Sequence, residues 1–252
     1  LNTKPTNKFA AAIKAIAIVS SLAAGAAHAA LITPTYDTFG PLDEASWGGS
    51  GIPNDAVAIS EYITEICTAR CRLLNTLTLG LSSHGRYENL LEGNDGAGTF
   101  YASAGSNVPP SSTSEGATWN FNFFVNIAGD YVLDNYDFKL LYDFDPAVGN
   151  DESTHGALNL NSFFVDGSAQ GSQNLMFGYL SSDLLPFLTA PIGSSFNPNV
   201  AGEYTFALTA SDASGELTRS AMRVVVSAVD VPVPASLTLM GLGLLLLRRR
   251  IK

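Results

Sequence analysis

What the interior of this 252-residue chain lacks is positive charge. From Ala30 to Val231 the only basic residues are Arg70, Arg72, Arg86, Lys139, Arg219 and Arg223, against all 23 acidic residues of the chain, a net charge of −17. Such a surface repels the phosphate backbones that a nucleic-acid binder must attract with Lys and Arg, so DNA and RNA are excluded as partners. The acidity reads instead as a solvated face that maintains solubility. Cysteine is scarce: Cys67 and Cys71 are the only two, four residues apart and not in a C-x-x-C pair, which leaves no metal or redox signature. Histidine is scarcer in use than in number, since His84 and His155 sit in Ser/Gly turn-like contexts and read as surface loop residues, and neither belongs to an H-E-x-x-H motif. No G-x-S-x-G elbow places a nucleophile, and the glycines between Gly93 and Gly98 precede no helical run that would cradle a phosphate. Alternating long helices are missing too, which argues against an α/β enzyme. The reading is of a non-enzyme.

What is present begins at the ends. A basic region with Lys4, Lys8 and Lys14 leads into an apolar stretch, Ala15 to Ala24, and then Ala27-His28-Ala29, which fits the A-x-A rule of a signal peptide cleaved before Ala30. Export follows, with the export machinery and signal peptidase as partners. The other end runs Val231-Pro232-Val233-Pro234, then uncharged residues from Ala235 to Leu247, then Arg248-Arg249-Arg250. Thirteen uncharged residues give about 20 Å of helix against a bilayer core of about 30 Å. Such a helix spans a membrane only marginally, with the arginines held on the cytoplasmic side. The expected division is a signal peptide at 1–29, an acidic β-rich body at 30–230 and a sorting tail at 231–252.

That tail resembles the PEP-CTERM sorting signal of Gram-negative bacteria that secrete exopolysaccharide. Pro232 and Pro234 match its two prolines, Ala235 and Ser236 its small residues, Leu237 to Leu247 its hydrophobic helix and Arg248, Arg249 and Arg250 its basic end. Val233 departs from the pattern, standing where the family usually carries Glu. The resemblance covers about 22 residues. It implies cleavage near Pro232 by an exosortase-like processing enzyme, with a transient stage anchored in the inner membrane. Delivery to the cell surface, the biofilm matrix or the medium would follow.

The body reads as strands. Thr118 to Ile127 places Trp119, Phe121, Phe123, Val125 and Ile127 on one face against Asn120, Asn122 and Asn126, the period-2 pattern of a half-buried strand. Phe138 to Phe144, Ala157 to Val165 and Leu175 to Tyr179 are expected to add strands, and residues 203–228 a hairpin turning at Ser211 to Gly215. One segment reads differently: in Ala56 to Leu79, Ile59, Ile63, Ile66, Leu73, Leu74 and Leu77 recur at helical spacings, which predicts one short helix. The expected fold class is all-β, an antiparallel β-sandwich of immunoglobulin-like or jelly-roll-like form, with that helix and terminal hydrophobic helices.

Three features are candidates for chemistry. The acidic loop offers Asp143, Asp145, Asn150, Asp151 and Glu152 as oxygen ligands for calcium, although its spacing is not that of an EF-hand. Trp47, between Ser46 and Gly48-Gly49, reads as an exposed platform on which a sugar ring could stack. Cys67 and Cys71 are either reduced or joined in a local disulfide, which an exported protein permits. No cofactor is implied beyond optional calcium. The leading function is a non-catalytic structural or adhesive protein of the cell surface or exopolysaccharide matrix. An extracellular carbohydrate-binding module is the alternative, and a secreted hydrolase the outsider.

Overall fold

The computed structural model describes residues 30–68, 71–87, 93–108, 113–193 and 195–228, with the side chains of 66–73 outside the description. In chain order the strands are Thr38–Gly40 (β1), Val57–Thr68 (β2), Cys71–Gly85 (β3), Gly93–Asn94 (β4), Thr99–Ser103 (β5), Ser106–Asn107 (β6), Gly116–Ala117 (β7), Trp119–Ala128 (β8), Asp137–Tyr142 (β9), Gly156–Asn159 (β10), Ser168–Gln173 (β11), Leu188–Thr189 (β12), Gly202–Asp212 (β13) and Gly215–Ser227 (β14). They form a five-stranded sheet in the order β1-β2-β3-β8-β11, a seven-stranded sheet in the order β12-β10-β9-β13-β14-β5-β4, and the small pair β6-β7.

The segment expected to be helical is instead a long hairpin, β2 against β3, paired from Ala58↔Leu81 to Thr68↔Cys71. Its apolar residues satisfy helical spacing by coincidence. Val57, Ala58, Ile59 and Ser60 are all buried, so both faces of β2 are covered there and the alternation that would mark a strand is erased. β-Branched Val, Ile and Thr then favour the extended backbone. Among the described residues helical turns occur only as 3-10 turns, such as Glu152–Thr154 and Gly178–Ser181. The second of these lies in the run Leu175 to Tyr179, which was expected to be a strand, and β10 ends at Asn159 well short of Val165.

The expected antiparallel sandwich is likewise corrected. β5 runs parallel to β14, from Thr99↔Arg223 to Ser103↔Ser227, so the larger sheet is mixed, and no sheet closes on itself. The terminal hydrophobic helices fell on 1–29 and 229–252, which lie outside the described residues. Among the described residues no helix is long and apolar enough to cross a membrane, so within them the expected membrane-spanning helix and transient inner-membrane anchoring are not borne out.

The main core cluster draws on both sheets. Leu77, Leu79 and Leu81 of β3 and Phe121, Phe123 and Val125 of β8 meet Leu140, Tyr142, Phe206, Leu208, Met222 and Val224 of the larger sheet. Phe121 stacks on Phe206 with ring centroids 4.6 Å apart, and Trp119 meets Phe206 edge-on at 6.2 Å. At one corner the sheets are clasped by polar bonds, Ser60 Oγ donating to the Arg219 carbonyl at 2.6 Å and Ser220 Oγ to the Ala58 carbonyl at 2.7 Å. Phe206 therefore sits at the joint. Its replacement in Phe206→Ala is expected to cost about 3–5 kcal/mol of unfolding free energy, measured as a lowered denaturant midpoint with an unchanged slope.

Candidate functional site

The acidic loop folds around Asp143, which follows the last residue of β9 and is buried. Its Oδ1 accepts the Asp145 amide at 2.8 Å and its Oδ2 accepts Asn150 Nδ2, also at 2.8 Å. The second hydrogen of the same Asn150 amide goes to the Asp145 carbonyl at 2.8 Å. Asp143, Asp145 and Asn150 are thus brought together, but by bonds among themselves. Asp151 and Glu152 turn elsewhere. Asp151 Oδ1 caps a 3-10 turn through the Ser153 amide, and both Glu152 oxygens accept from Arg219 at 2.8 and 3.0 Å. Among the described residues no group of three or more His, Cys, Asp or Glu is placed to hold a metal ion. A calcium ion at Asp143 would first have to displace two hydrogen-bond donors.

Behind the loop lies a buried constellation that sequence reading missed. His155 Nδ1 donates to the Asp151 carbonyl at 3.1 Å, and Nε2 shares a hydrogen with Thr205 Oγ1 at 2.7 Å. Asp143 Oδ2 stands 3.7 Å from Nε2 and 3.5 Å from the same hydroxyl. A hydroxyl, an imidazole and a carboxylate are the parts of a nucleophile relay, yet a relay needs a reachable nucleophile and all three side chains here are buried. Their role on this geometry is to tie the 143–155 loop to β13.

Trp47 is 2% exposed, which corrects its expected role as an exposed stacking platform. It packs with Leu42, Val57, Ile59 and Phe124 on the outer face of the smaller sheet, and its indole Nε1 donates to the Pro53 carbonyl at 2.9 Å. A φ of +57° at Trp47 turns the ring under the loop. In the β2–β3 hairpin Cys67 pairs with Arg72 and Cys71 with Thr68, so the two cysteines are offset in register; their side chains lie outside the description. The sorting residues Pro232, Val233, Pro234, Ala235, Ser236, Arg248, Arg249 and Arg250 also fall outside the described residues.

The histidines expected on the surface are buried. His84 is 2% exposed near the end of β3, with Nδ1 2.9 Å from Asn122 Nδ2 of β8, while Asn122 Oδ1 has no partner. Burial lowers its pKa to about 4, against a smaller upward pull from the Asn122 hydrogen bond. Arg86, in the turn just past the end of β3, is 5% exposed, with its guanidinium 4.4 Å from the Tyr87 ring centre and 5.6 Å from that of Phe177.

An open feature lies at the other margin of the fold. A cleft of about 460 Å³ is lined by Phe123, Gln170, Gln173, Tyr179, Leu158, Phe163, Leu185 and Phe187. β11 forms one wall and the β10–β12 edge the other, with 3-10 turns on either side. Gly171, opposite Phe123 in the ladder, makes room for it, because a Cβ there would stand 2.9 Å from the Phe123 ring. Tyr179 donates its hydroxyl to Gln173 Oε1, and burial pushes its pKa up to about 12. No motif marks this site in the sequence, because its residues come from separate segments between 123 and 187.

No family model, no curated protein and no solved structure matches this chain.

Two outcomes follow from the geometry. His84 resists protonation in the folded state and accepts it near pH 6.5 once unfolded, so its contribution to stability is full above that pH. That contribution falls away as pH drops from about 6.5 toward about 4. The loss amounts to about 3 kcal/mol, and His84→Asn should flatten this part of the stability profile in denaturant titrations at successive pH values. For the acidic loop, whose oxygens already accept internal donors, equal melting temperatures are expected in millimolar calcium and in chelator; a rise with calcium would restore the ion.

Proposed function

We propose that this chain is an exported, non-catalytic protein of the cell surface or exopolysaccharide matrix, structural or adhesive in role. The signal-peptide pattern before Ala30 and the PEP-CTERM-like tail from Pro232 supply the destination, with the export machinery, signal peptidase and an exosortase-like enzyme as partners. The observation that carries the non-catalytic part is the mutual saturation of reactive groups in the body. Asp143, His155 and Thr205 bond to each other and to the backbone while buried. Each of Arg219 and Arg223 is matched with carboxylates, Arg219 with Glu152 and Glu216, Arg223 with Glu203. Side chains so engaged hold a scaffold together, and the acidic remainder keeps it dispersed in water. Burial of Trp47 removes the stacking platform on which a carbohydrate-binding reading rested.

The test is intact-mass analysis of extracellular and matrix fractions from the native host. The expected species starts near Ala30 and ends between residues 231 and 236. Recovery of the unprocessed chain from the cytoplasm alone would refute export. If instead the exported chain retains Arg250, a Val233→Glu variant that restores trimming would trace the fault to the missing carboxylate.

A further inference from the structure

We propose that the cleft between β11 and the β10–β12 edge is a binding site for a neutral, mostly apolar ligand that carries a carbonyl acceptor, an acyl ester being the chemical class that fits. The proposal stands on the cleft alone and does not depend on export. Its volume of about 460 Å³ lies within the roughly 300–1,000 Å³ of small-molecule sites. Phe123, Leu158, Leu185 and Phe187 offer apolar surface, and Phe163, 41% exposed, stands edge-on to Phe187 with ring centroids 5.2 Å apart.

The polar groups decide the ligand. Gln170 stands opposite Phe124 in the ladder, so its side chain turns to the outer face, where Oε1 accepts the backbone amides of Ser46 and Trp47 at 2.9 and 2.8 Å; Gln173, opposite Phe121, turns into the cleft, where its Oε1 accepts from the Tyr179 hydroxyl. The Gln173 amide oxygen is thereby held, and among the described residues its Nε2 has no protein acceptor. What the cleft presents is one fixed N–H donor, Gln173 Nε2, in an apolar lining, with no Lys, Arg, Asp or Glu among its residues. A fixed donor selects an acceptor without having to be ordered at the moment of binding. An anion would lose its hydration without gaining a cation. Arg86, whose guanidinium lies 5.6 Å from the Phe177 ring centre, is not among the lining residues. A sugar fits no better. A pyranose carries about five oxygens that must donate and accept, and each hydroxyl buried without a partner costs about 1–3 kcal/mol. An ester asks for acceptance at its carbonyl only.

The experiment uses the full chain and the uncharged fluorescent probe N-phenyl-1-naphthylamine. The probe should bind saturably at one site and be displaced by methyl decanoate. Decanoate should compete at least about tenfold more weakly, and cellobiose should not compete. Phe163→Ala, a truncation at a half-exposed ring, should weaken the probe and the ester alike by about fivefold. Gln173→Leu should weaken the ester by about fivefold and leave the probe, which has no carbonyl, unchanged. Cooperative melting of both variants certifies the comparison, and the ligand order on the unaltered chain tests the proposal even if Gln173→Leu does not fold. Absence of saturable binding, displacement by cellobiose, equal competition by decanoate, an unchanged probe affinity in folded Phe163→Ala, or an unchanged ester affinity in folded Gln173→Leu would each overturn it.

Discussion

The contact on which the rest of the structure depends is the stacking of Phe121 on Phe206, with Trp119 set edge-on against the same ring. β8 lies between β3 and β11 in one sheet, and β13 between β9 and β14 in the other, so this aromatic layer joins the interiors of both sheets. Aromatic pairs contribute about 0.5–1.5 kcal/mol beyond the area they bury. Their larger effect is positional. Phe196 and Tyr204 gather around Trp119, Phe144 leans on Phe196 and Tyr142 on Phe144. The ring network therefore reaches the residue before Asp145 and sets where the acidic loop must start.

From that frame the buried polar groups follow as obligations. A sheet this covered leaves backbone amides and carbonyls that must be paired away from water. Asn174 serves the adjoining segment 117–120: its Oδ1 accepts the Ala117 amide at 3.0 Å and its Nδ2 shares two hydrogens among the carbonyls of Ala117 and Trp119 and Asn120 Oδ1. Asp143 does the same for its loop. Among the described residues the pairing is incomplete at three buried atoms, Arg86 Nη1, Asn107 Oδ1 and Asn122 Oδ1, the last on the outer face of the smaller sheet beside His84, which is held neutral. Acid sensitivity is concentrated there for a physical reason, since a proton on His84 adds charge where the low dielectric least tolerates it.

The legible parts of the sequence were those where one face of a strand is wet or where a strong turn signal bounds long runs, as it does for β13, buried from Tyr204 to Ala210. β8 shows its alternation because Asn120 and Asn126 remain half-exposed, and β13–β14 show theirs because a turn at Ala213-Ser214 separates two long runs. The pattern fails where both faces are covered. The loop carrying Leu42 and Trp47 lies over β2 and β3, and Gly80 gives it passage, since a Cβ there would meet Leu42 at 2.8 Å. Burial from that side removed the polar alternation around Val57 to Ser60 and left spacings that suit a helix equally well. Trp47 was misread for the same cause: Ser-Trp-Gly-Gly has the composition of an exposed turn, and only the tertiary fold shows the ring beneath it. His84 and His155 follow the same logic, because Ser and Gly neighbours mark turns in isolation and tight packing in a covered sheet.

The cleft was illegible for a different reason, which is topological. The smaller sheet ends at β11 and the larger at the two-residue strand β12, and the chain between Leu160 and Phe187 crosses this margin in 3-10 turns with β11 between them. Short turns cannot interdigitate like paired strands, so the margin is closed by single rings, Phe163 and Phe187, and by one shortened position, Gly171. A gap lined by apolar side chains cannot be sealed by water without losing hydrogen bonds, and Gln173 at its wall has its oxygen turned to Tyr179. The same economy that saturates Asp143 from within thus leaves, at this margin, the Gln173 amide hydrogens without a protein acceptor among the described residues. An edge that the fold cannot finish with its own backbone is where a ligand has something to add.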